Sequence, residues 1–313
     1  MKTECPICEA EQKGVGRKAN WFSHFFCEEC ATGKLVGSEG EPDYPEDYFG
    51  SQDKKFTGVA GWVRKAWHYQ RSIIIRKLLG RPDASLYDIG CGDGEFIAAC
   101  QRLGIIISGC EPQPRGREQA EKNLQCQIDE ALFESRDLMQ YDAVTVWHVI
   151  EHVQNPAQMV RDIRKHLKQG GLLAVSTVNI ESWQARLFGA KWLHLDPPRH
   201  LWVGGRKALE ELLVKNGFVI EMRRSNFLEF GPVGFVDSFI NVFDRKRDRL
   251  LKCLKTGFAG TPGKITWIAA AILTPFGILF SALETIFGKS ATFEIYARKS
   301  DNAKNQEIAP DLG

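Results

Sequence analysis

Apolar and polar positions divide the chain into stretches of different rhythm. From about residue 61 to 227, short apolar runs alternate with amphipathic stretches, the pattern of strand–helix–strand units around a parallel sheet. Strands are expected at 85–89, 105–110, 126–129, 142–147, 171–178 and 218–226, and helices at 61–79, 94–103, 115–124, 156–168 and 205–216. Residues 228–291 break this rhythm with a basic cluster and a long apolar run, and 292–299 (TFEIYARK) reads as one more strand. Before the alternating part, residues 1–34 lack aliphatic runs and residues 35–60 are rich in Gly, Pro, Asp and Glu, a linker or arm. A polar tail, 300–313, ends the chain. The expected organisation is an N-terminal module (1–34), a linker (35–60), an α/β domain (61–299) interrupted at 228–291, and the tail.

Cysteines give the first module its chemistry. Cys5-Pro-Ile-Cys8 and Cys27-Glu-Glu-Cys30 form two CxxC pairs with 18 residues between them, inside the spacing of a four-thiolate zinc site. A module this short has little core, so metal binding would supply its folding energy, roughly 10–16 kcal/mol in zinc-finger peptides. Four thiolates close the coordination shell, which makes such an ion structural. The alternative is four unligated thiols in a loose N-terminus. Nine cysteines in a chain that starts MKTECPICEAEQ, without an apolar signal core, point to a reducing, cytoplasmic setting.

Composition narrows the partners. With 43% apolar and 26% charged residues the chain can bury a core. Lys and Arg number 41 against 39 Asp and Glu, a net charge of +2 that gives no general pull toward nucleic acid.

The stretch LYDIGCGDGEF, 86–96, joins an apolar strand to a helix start, where unpaired N–H groups and a partial positive charge face an anionic ligand group. Glu111 follows Asp88 by 23 residues, at the end of the next strand, where an acid can accept bonds from both ribose hydroxyls of an adenosine ligand. A nicotinamide dinucleotide would want G-x-G-x-x-G. The loop is instead D-x-G-x-G-x-G, with acids at Asp88, Asp93 and Glu95 that repel a pyrophosphate and suit an ammonium and a sulfonium.

Together, DIGCGDG (88–94), Glu111, YDAVTVWHVIEHVQNP (141–156), LKQGGLLAVST (167–177) and KNGF (215–218) resemble the ordered motifs of class I S-adenosylmethionine-dependent methyltransferases. The HVIEHV stretch is most similar to the branch that includes ubiquinone-biosynthesis O-methyltransferases. The resemblance covers about 85–227 and the last strand. It implies an α/β, doubly wound Rossmann-like sheet of seven strands and S-adenosyl-L-methionine as cofactor; residues 228–291 depart from that pattern as an apolar helical insertion before the last strand. By the resemblance, Asp88, Gly90 and Gly92 cradle the methionine end, with Cys91 and Gly94 of the same loop among the cofactor-binding residues. Glu111 holds the ribose, Asp129 lies near the adenine, and His148 lines the boundary between cofactor and acceptor. Cys-pair modules ahead of such domains resemble those of enzymes acting on activated glycans, so the expected acceptor is a small molecule, a glycan or a lipid-linked group.

Methyl transfer is a displacement at a sulfonium carbon, in which the enzyme positions reactants and removes a proton. His148, His152 and His200 are the candidate bases, each also readable as a packing or loop-holding residue. HVIEH also spells HxxEH, an inverted zinc-protease pattern. It follows a strand and precedes Asn155-Pro156, which disfavours the single helix that chemistry needs. Trp183, Trp192 and Trp202 are candidate walls of an acceptor pocket, or core. Rival functions are an RNA methyltransferase whose zinc module reads RNA and a non-catalytic binding protein of the same fold.

Residues 265–283 (ITWIAAAILTPFGILFSAL) carry no charge over nineteen positions. As a helix they would be about 28 Å long, close to the thickness of a hydrocarbon core. A single crossing would strand 292–299 across the membrane from its sheet. The remaining readings are a hairpin broken at Pro275-Phe276-Gly277, a buried cap, or a dimer interface. Flanking basic residues favour peripheral contact of 245–285 with the inner face of a membrane. Oligomeric state is left open.

Overall fold

The computed structural model describes residues 3–5, 7–8, 11–12, 24–27, 29–30, 32–35, 58–131, 139–196, 199–225, 230–244, 248–256 and 260–301. Four short strands open the chain: β1 (Thr3–Glu4), β2 (Glu11–Gln12), β3 (His24–Cys27) and β4 (Thr32–Leu35). Then follow α1 (Gly58–Leu79), β5 (Ser85–Ile89), α2 (Glu95–Gln101), β6 (Ile106–Cys110), α3 (Pro114–Leu124), β7 (Tyr141–Trp147), α4 (Pro156–His166) and β8 (Leu167–Val178). The second half comprises α5 (Trp183–Phe188), β9 (Trp202–Val203), α6 (Arg206–Lys215), β10 (Phe218–Ser225), α7 (Gly231–Phe243), α8 (Arg249–Thr256), α9 (Gly260–Ile286) and β11 (Thr292–Lys299).

Six strands form the central sheet in the order β10-β11-β8-β7-β5-β6. Pairs β5–β6, β5–β7 and β7–β8 are parallel, while β11 runs antiparallel to both neighbours. The order reverses at β5, so the carboxyl ends of β5 and β7 open the crevice where α/β folds bind ligands. Leu86, Ala143, Leu172 and Tyr296 fill one face of this sheet, Tyr87, Val144, Leu173 and Ile295 the other. Continuous apolar strands are what a sheet covered on both sides requires.

Two expectations change. The seventh strand, expected at 126–129, is a single bridge between Cys110 and Asp129. Gln125 stops α3 with φ 54°, and the polar run that follows offers little apolar surface to an edge. Strand β8 starts at Leu167, four residues early, because Leu167 pairs with Tyr141 ahead of an irregularity before Ala143.

The cysteine module is docked on the main domain. Strand β4 pairs with β9 (Gly33 with Val203, Lys34 with Trp202), making a three-stranded sheet β3-β4-β9. Cys5, Ile7, Cys27 and Cys30 are buried in one cluster with Leu201, Trp202 and Leu209.

The segment after β10 folds as α7, α8 and α9. The expected break at Pro275 is absent: α9 runs unbroken through it. Proline removes one amide donor, and beside that gap the Thr274 hydroxyl donates to the Ala270 carbonyl at 2.6 Å. The buried-cap reading also fails, since α9 leaves a row of large apolar side chains exposed.

Candidate active site

The glycine loop is pinned by its neighbours. Gly90 and Cys91 both donate N–H to the Cys110 carbonyl, at 2.9 and 3.0 Å, tying the loop to the end of β6. Gly90, with φ 70°, has no room for a side chain: a Cβ would sit 2.4 Å from Val149 Cγ2. That contact brings the end of β7, and with it His148, against the loop. Gly92, with φ 58°, is the opposite case, because a Cβ there would meet nothing within 4 Å. The space it leaves open is a cradle where a ligand can approach backbone.

Acids surround this cradle. Asp88 is buried and accepts the Thr145 hydroxyl at 2.6 Å. Burial pushes its carboxyl up to about 7, with the nearby Glu111 adding to the effect. Glu111 is also buried, and its two oxygens accept the amides of Gly92 and Gln113, both at 2.9 Å. The other two loop acids are neutralised. Arg64 of α1 makes a forked pair with Asp93, at 3.1 and 2.6 Å, and reaches Glu95 at 3.0 Å. The expected repulsion of a pyrophosphate by three loop acids therefore weakens; Asp88 and Glu111 are the acids left to set the site's charge. Arg64 was missed because nothing in a lone arginine 29 residues upstream marks it.

Two of the expected cofactor residues have partners within the fold. The Cys91 thiol packs with Ile97, Ala120 and Ile128, so only its backbone belongs to the loop. The Asp129 carboxylate accepts the Tyr87 hydroxyl at 2.8 Å, while its carbonyl accepts the Glu111 amide at 2.9 Å. It braces the strand that carries Glu111. Gly94 caps the start of α2 in the left-handed region, φ 78°.

The three candidate bases come together around Glu151, with His194 as a fourth ring. His148 holds φ 54°, and its Nδ1 lies 3.4 Å from Glu151 Oε1. Its ring meets the edge of Phe230 at 5.2 Å, and its side chain keeps 19% exposure. His152 and His200 stack edge to face at 4.7 Å. His152 Nδ1 donates to the Arg199 carbonyl at 3.0 Å, and His200 Nδ1 donates to the His194 carbonyl at 2.8 Å. A carbonyl only accepts, so both rings carry a proton on Nδ1. Burial pulls His152 down to about 4 and His194 to about 3. Glu151 is fully buried, and the proton donor His148 beside it holds its carboxyl at about 2 against the cost of burial. Ligand atoms of Glu151, His152 and His200 lie within 4.8 Å of one another. Residues 150–152 make only one 3₁₀ turn, as the strand before them and the Asn-Pro after them suggested.

The tryptophans split. Trp192 and Trp202 are core. Trp183 packs instead on Phe287, 5.3 Å away. Nearer the site, the buried Arg71 of α1 bonds Glu294 at 2.8 Å and lies 4.2 Å over the Trp147 ring, a network joining α1 to β11. At the N-terminus, Sγ atoms of Cys5 and Cys30, and of Cys8 and Cys27, are each 3.6 Å apart.

Residues 65–222 match the family model described as a methyltransferase domain, half of the chain. The chain belongs to this methyltransferase family. Curated relatives of this methyltransferase include the ubiquinone biosynthesis O-methyltransferase of Coxiella burnetii, 28% identical over 117 residues, covering 34% of this chain and 49% of that protein. The enzyme of the same name from Cereibacter sphaeroides is 32% identical over 117 residues, covering 34% and 47%. The chain thus spans about half the length of the relatives it matches. Among solved structures, a putative sarcosine dimethylglycine methyltransferase from Galdieria sulphuraria aligns with TM-score 0.51 and 15% identity, over 77% of this chain and 87% of that one. That likeness shows the fold. The open cradle at Gly92 beside two acids fits S-adenosylmethionine as a methyl donor.

Proposed function

We propose that this methyltransferase methylates an oxygen of a small acceptor that is free, glycan-borne or lipid-linked, with His148 taking the acceptor's proton. The observation that carries the reading is His148 itself: it sits at the carboxyl end of β7, next to the glycine loop, with Nδ1 facing the buried Glu151 carboxylate. When bound, S-adenosylmethionine supplies an electrophilic methyl group. Glu111 holds the ribose, and Asp88, Gly90 and Gly92 cradle the methionine end with Asp88 facing the ammonium. Glu151 orients the His148 ring and stabilises it once protonated, which suits a general base at neutral pH. His152 and His200, locked by their Nδ1 bonds, hold the walls and keep Glu151 in place; Leu201 donates to the Glu151 carbonyl at 2.8 Å.

Support for the oxygen comes from the names of the curated relatives. The same reading assigns a structural zinc ion to Cys5, Cys8, Cys27 and Cys30. A tetrahedron with bonds of about 2.3 Å has edges near 3.8 Å, close to the sulfur pairs here. It also places the enzyme in the cytoplasm, where its nine cysteines, none in a disulfide, stay reduced.

The test supplies S-adenosylmethionine with phenolic, glycan and polyprenyl-linked hydroxyl acceptors and reads product mass and donor turnover. An oxygen-methylated product supports the reading. Turnover confined to amine or RNA acceptors overturns it.

A further inference from the structure

We infer that α7 and α9 form an inside-out pair that lies in the plane of a membrane, sunk by its outward face into one leaflet of an anionic lipid bilayer. On α9 the inward positions are small or polar: Gly263, Thr266, Gly277, Ser281 and Glu284 are buried. The outward positions are large and apolar: Ile265, Ile268, Ile272, Phe276, Leu279, Leu283 and Ile286 recur every three or four residues, and all are exposed. Ile268 is 53% exposed, Phe276 61% and Leu279 61%. Over 21 residues this stripe is about 32 Å long.

Helix α7 repeats the inversion. Asp237, Ser238 and Asn241 are buried, while Phe239, Val242 and Phe243 are exposed. The buried polar groups are used. Asp237 accepts the amides of Leu250 and Leu251 at 3.0 and 2.9 Å, Ser238 accepts Leu193 N at 2.9 Å, and Glu284 accepts Gln184 Nε2 at 2.7 Å. A helix facing water does the reverse, so this outward face is matched to an apolar surrounding.

Charge selects a lipid surface. Residues 231–291 hold eight Lys and Arg against four Asp and Glu, and two of those acids, Asp237 and Glu284, are buried. The rest of the chain is net negative, since the whole is only +2. Exposed Lys264 precedes the stripe, and exposed Arg186 stands beside exposed Leu187 on α5. A basic rim around an apolar face complements anionic headgroups over acyl chains. Spanning is excluded by connectivity: β10 and β11 pair from Phe218–Lys299 to Ser225–Phe293, so the chain enters and leaves this hairpin from one sheet. Phe230, ahead of α7, touches the His148 ring, which puts the lipid-facing helix at the lip of the active site.

The test floats the full chain with vesicles of phosphatidylcholine alone or mixed with phosphatidylglycerol. Flotation is expected with the mixed vesicles and falls with added salt. Phe276→Asp and Leu279→Asp each cut the bound fraction by at least about tenfold, while Ile106→Asp, on the exposed edge strand, leaves it unchanged. Brominated acyl chains quench the wild-type tryptophan emission, and Trp267→Phe removes that quenching. Absence of flotation in a chain that still binds S-adenosylhomocysteine overturns the inference and spares the enzymatic reading. Flotation without such binding does the opposite. A detergent-free dimer that Phe276→Asp turns into monomers, without vesicle binding, assigns the face to a second copy and likewise overturns it.

Discussion

Glu111 and Gly92, nineteen residues apart, are joined by a backbone-to-carboxylate bond of 2.9 Å from the most open point of the glycine loop. The carboxylate thus stands at the cradle before a ligand arrives, its second oxygen fixed by Gln113. With the proposed ribose contact, Glu111→Ala removes charge-assisted bonds to the ligand as well as a tether of the loop. Affinity for S-adenosylhomocysteine falls by roughly 1.5–3 kcal/mol. Titration calorimetry reads it, and unchanged affinity would remove Glu111 from the site.

Arg64 clamps Asp93 and Glu95 with its side chain only 20% exposed. Arg64→Ala leaves Asp93 buried without its forked partner, at a cost of about 2–4 kcal/mol in stability. Arg64→Lys recovers only part, because an ammonium cannot match the fork. Thermal melting of the three proteins decides; equal midpoints for Arg64→Lys and wild type would show that charge alone matters.

Asp88 gives a pH signature. Its carboxyl titrates near 7 in the fold and at about 3.9 when unfolded, so the native state binds more protons between those values. Stability contributed at this position therefore falls as pH rises through that window. A bound ammonium draws the carboxyl back to its ionised form, so binding of S-adenosylhomocysteine releases protons near pH 7. Calorimetry in buffers of different ionisation enthalpy measures the release. A binding enthalpy independent of buffer would exclude a neutral Asp88.

His148→Asn keeps a residue type that tolerates the left-handed backbone at this position. Its turnover drops by roughly 10²–10⁴-fold, the worth of a general base, while cofactor affinity stays. His152→Gln lowers the melting temperature instead, since that ring is a packed brace. If both variants lose only stability, neither is the base.

Cys27→Ser tests the metal and the docking together. Metal content falls from one ion per chain to none, and the melting transition of the whole chain drops, because β4 no longer supports β9 next to His200. Metal analysis and calorimetry give the two readings. A retained ion would assign the site to other ligands.

The order of secondary elements was largely legible because it depends on local periodicity: each central strand is an apolar run buried on both faces, and β11 falls where TFEIYARK predicts it. Asp88, the glycines and Glu111 were legible for a related reason, since a strand–turn–helix fixes a short loop and the next strand end at set distances. The edge strand at 126–129 was not, because pairing there depends on what the rest of the sheet leaves exposed. Arg64, Arg71 and the docking of β4 on β9 join positions far apart in the chain, and periodicity carries no information about such partners.

The N-terminal thiols and the apolar run at 265–283 show the division most clearly. Residue type and spacing alone set four cysteines within reach of one ion and marked nineteen uncharged positions as an apolar element, while the unbroken run of its helix through Pro275 was decided by the fold. Which way that helix faces was a matter for tertiary structure. Periodicity fixes the angles between side chains around an axis, whereas only packing against α7 and α5 turned the Gly277, Ser281 and Glu284 side inward and left the isoleucines and phenylalanines outside. The same holds at the active site, where three histidines suggested a base and the fold separated them: two lock their Nδ1 protons onto carbonyls, and His148 keeps its ring beside Glu151 at the mouth of the crevice.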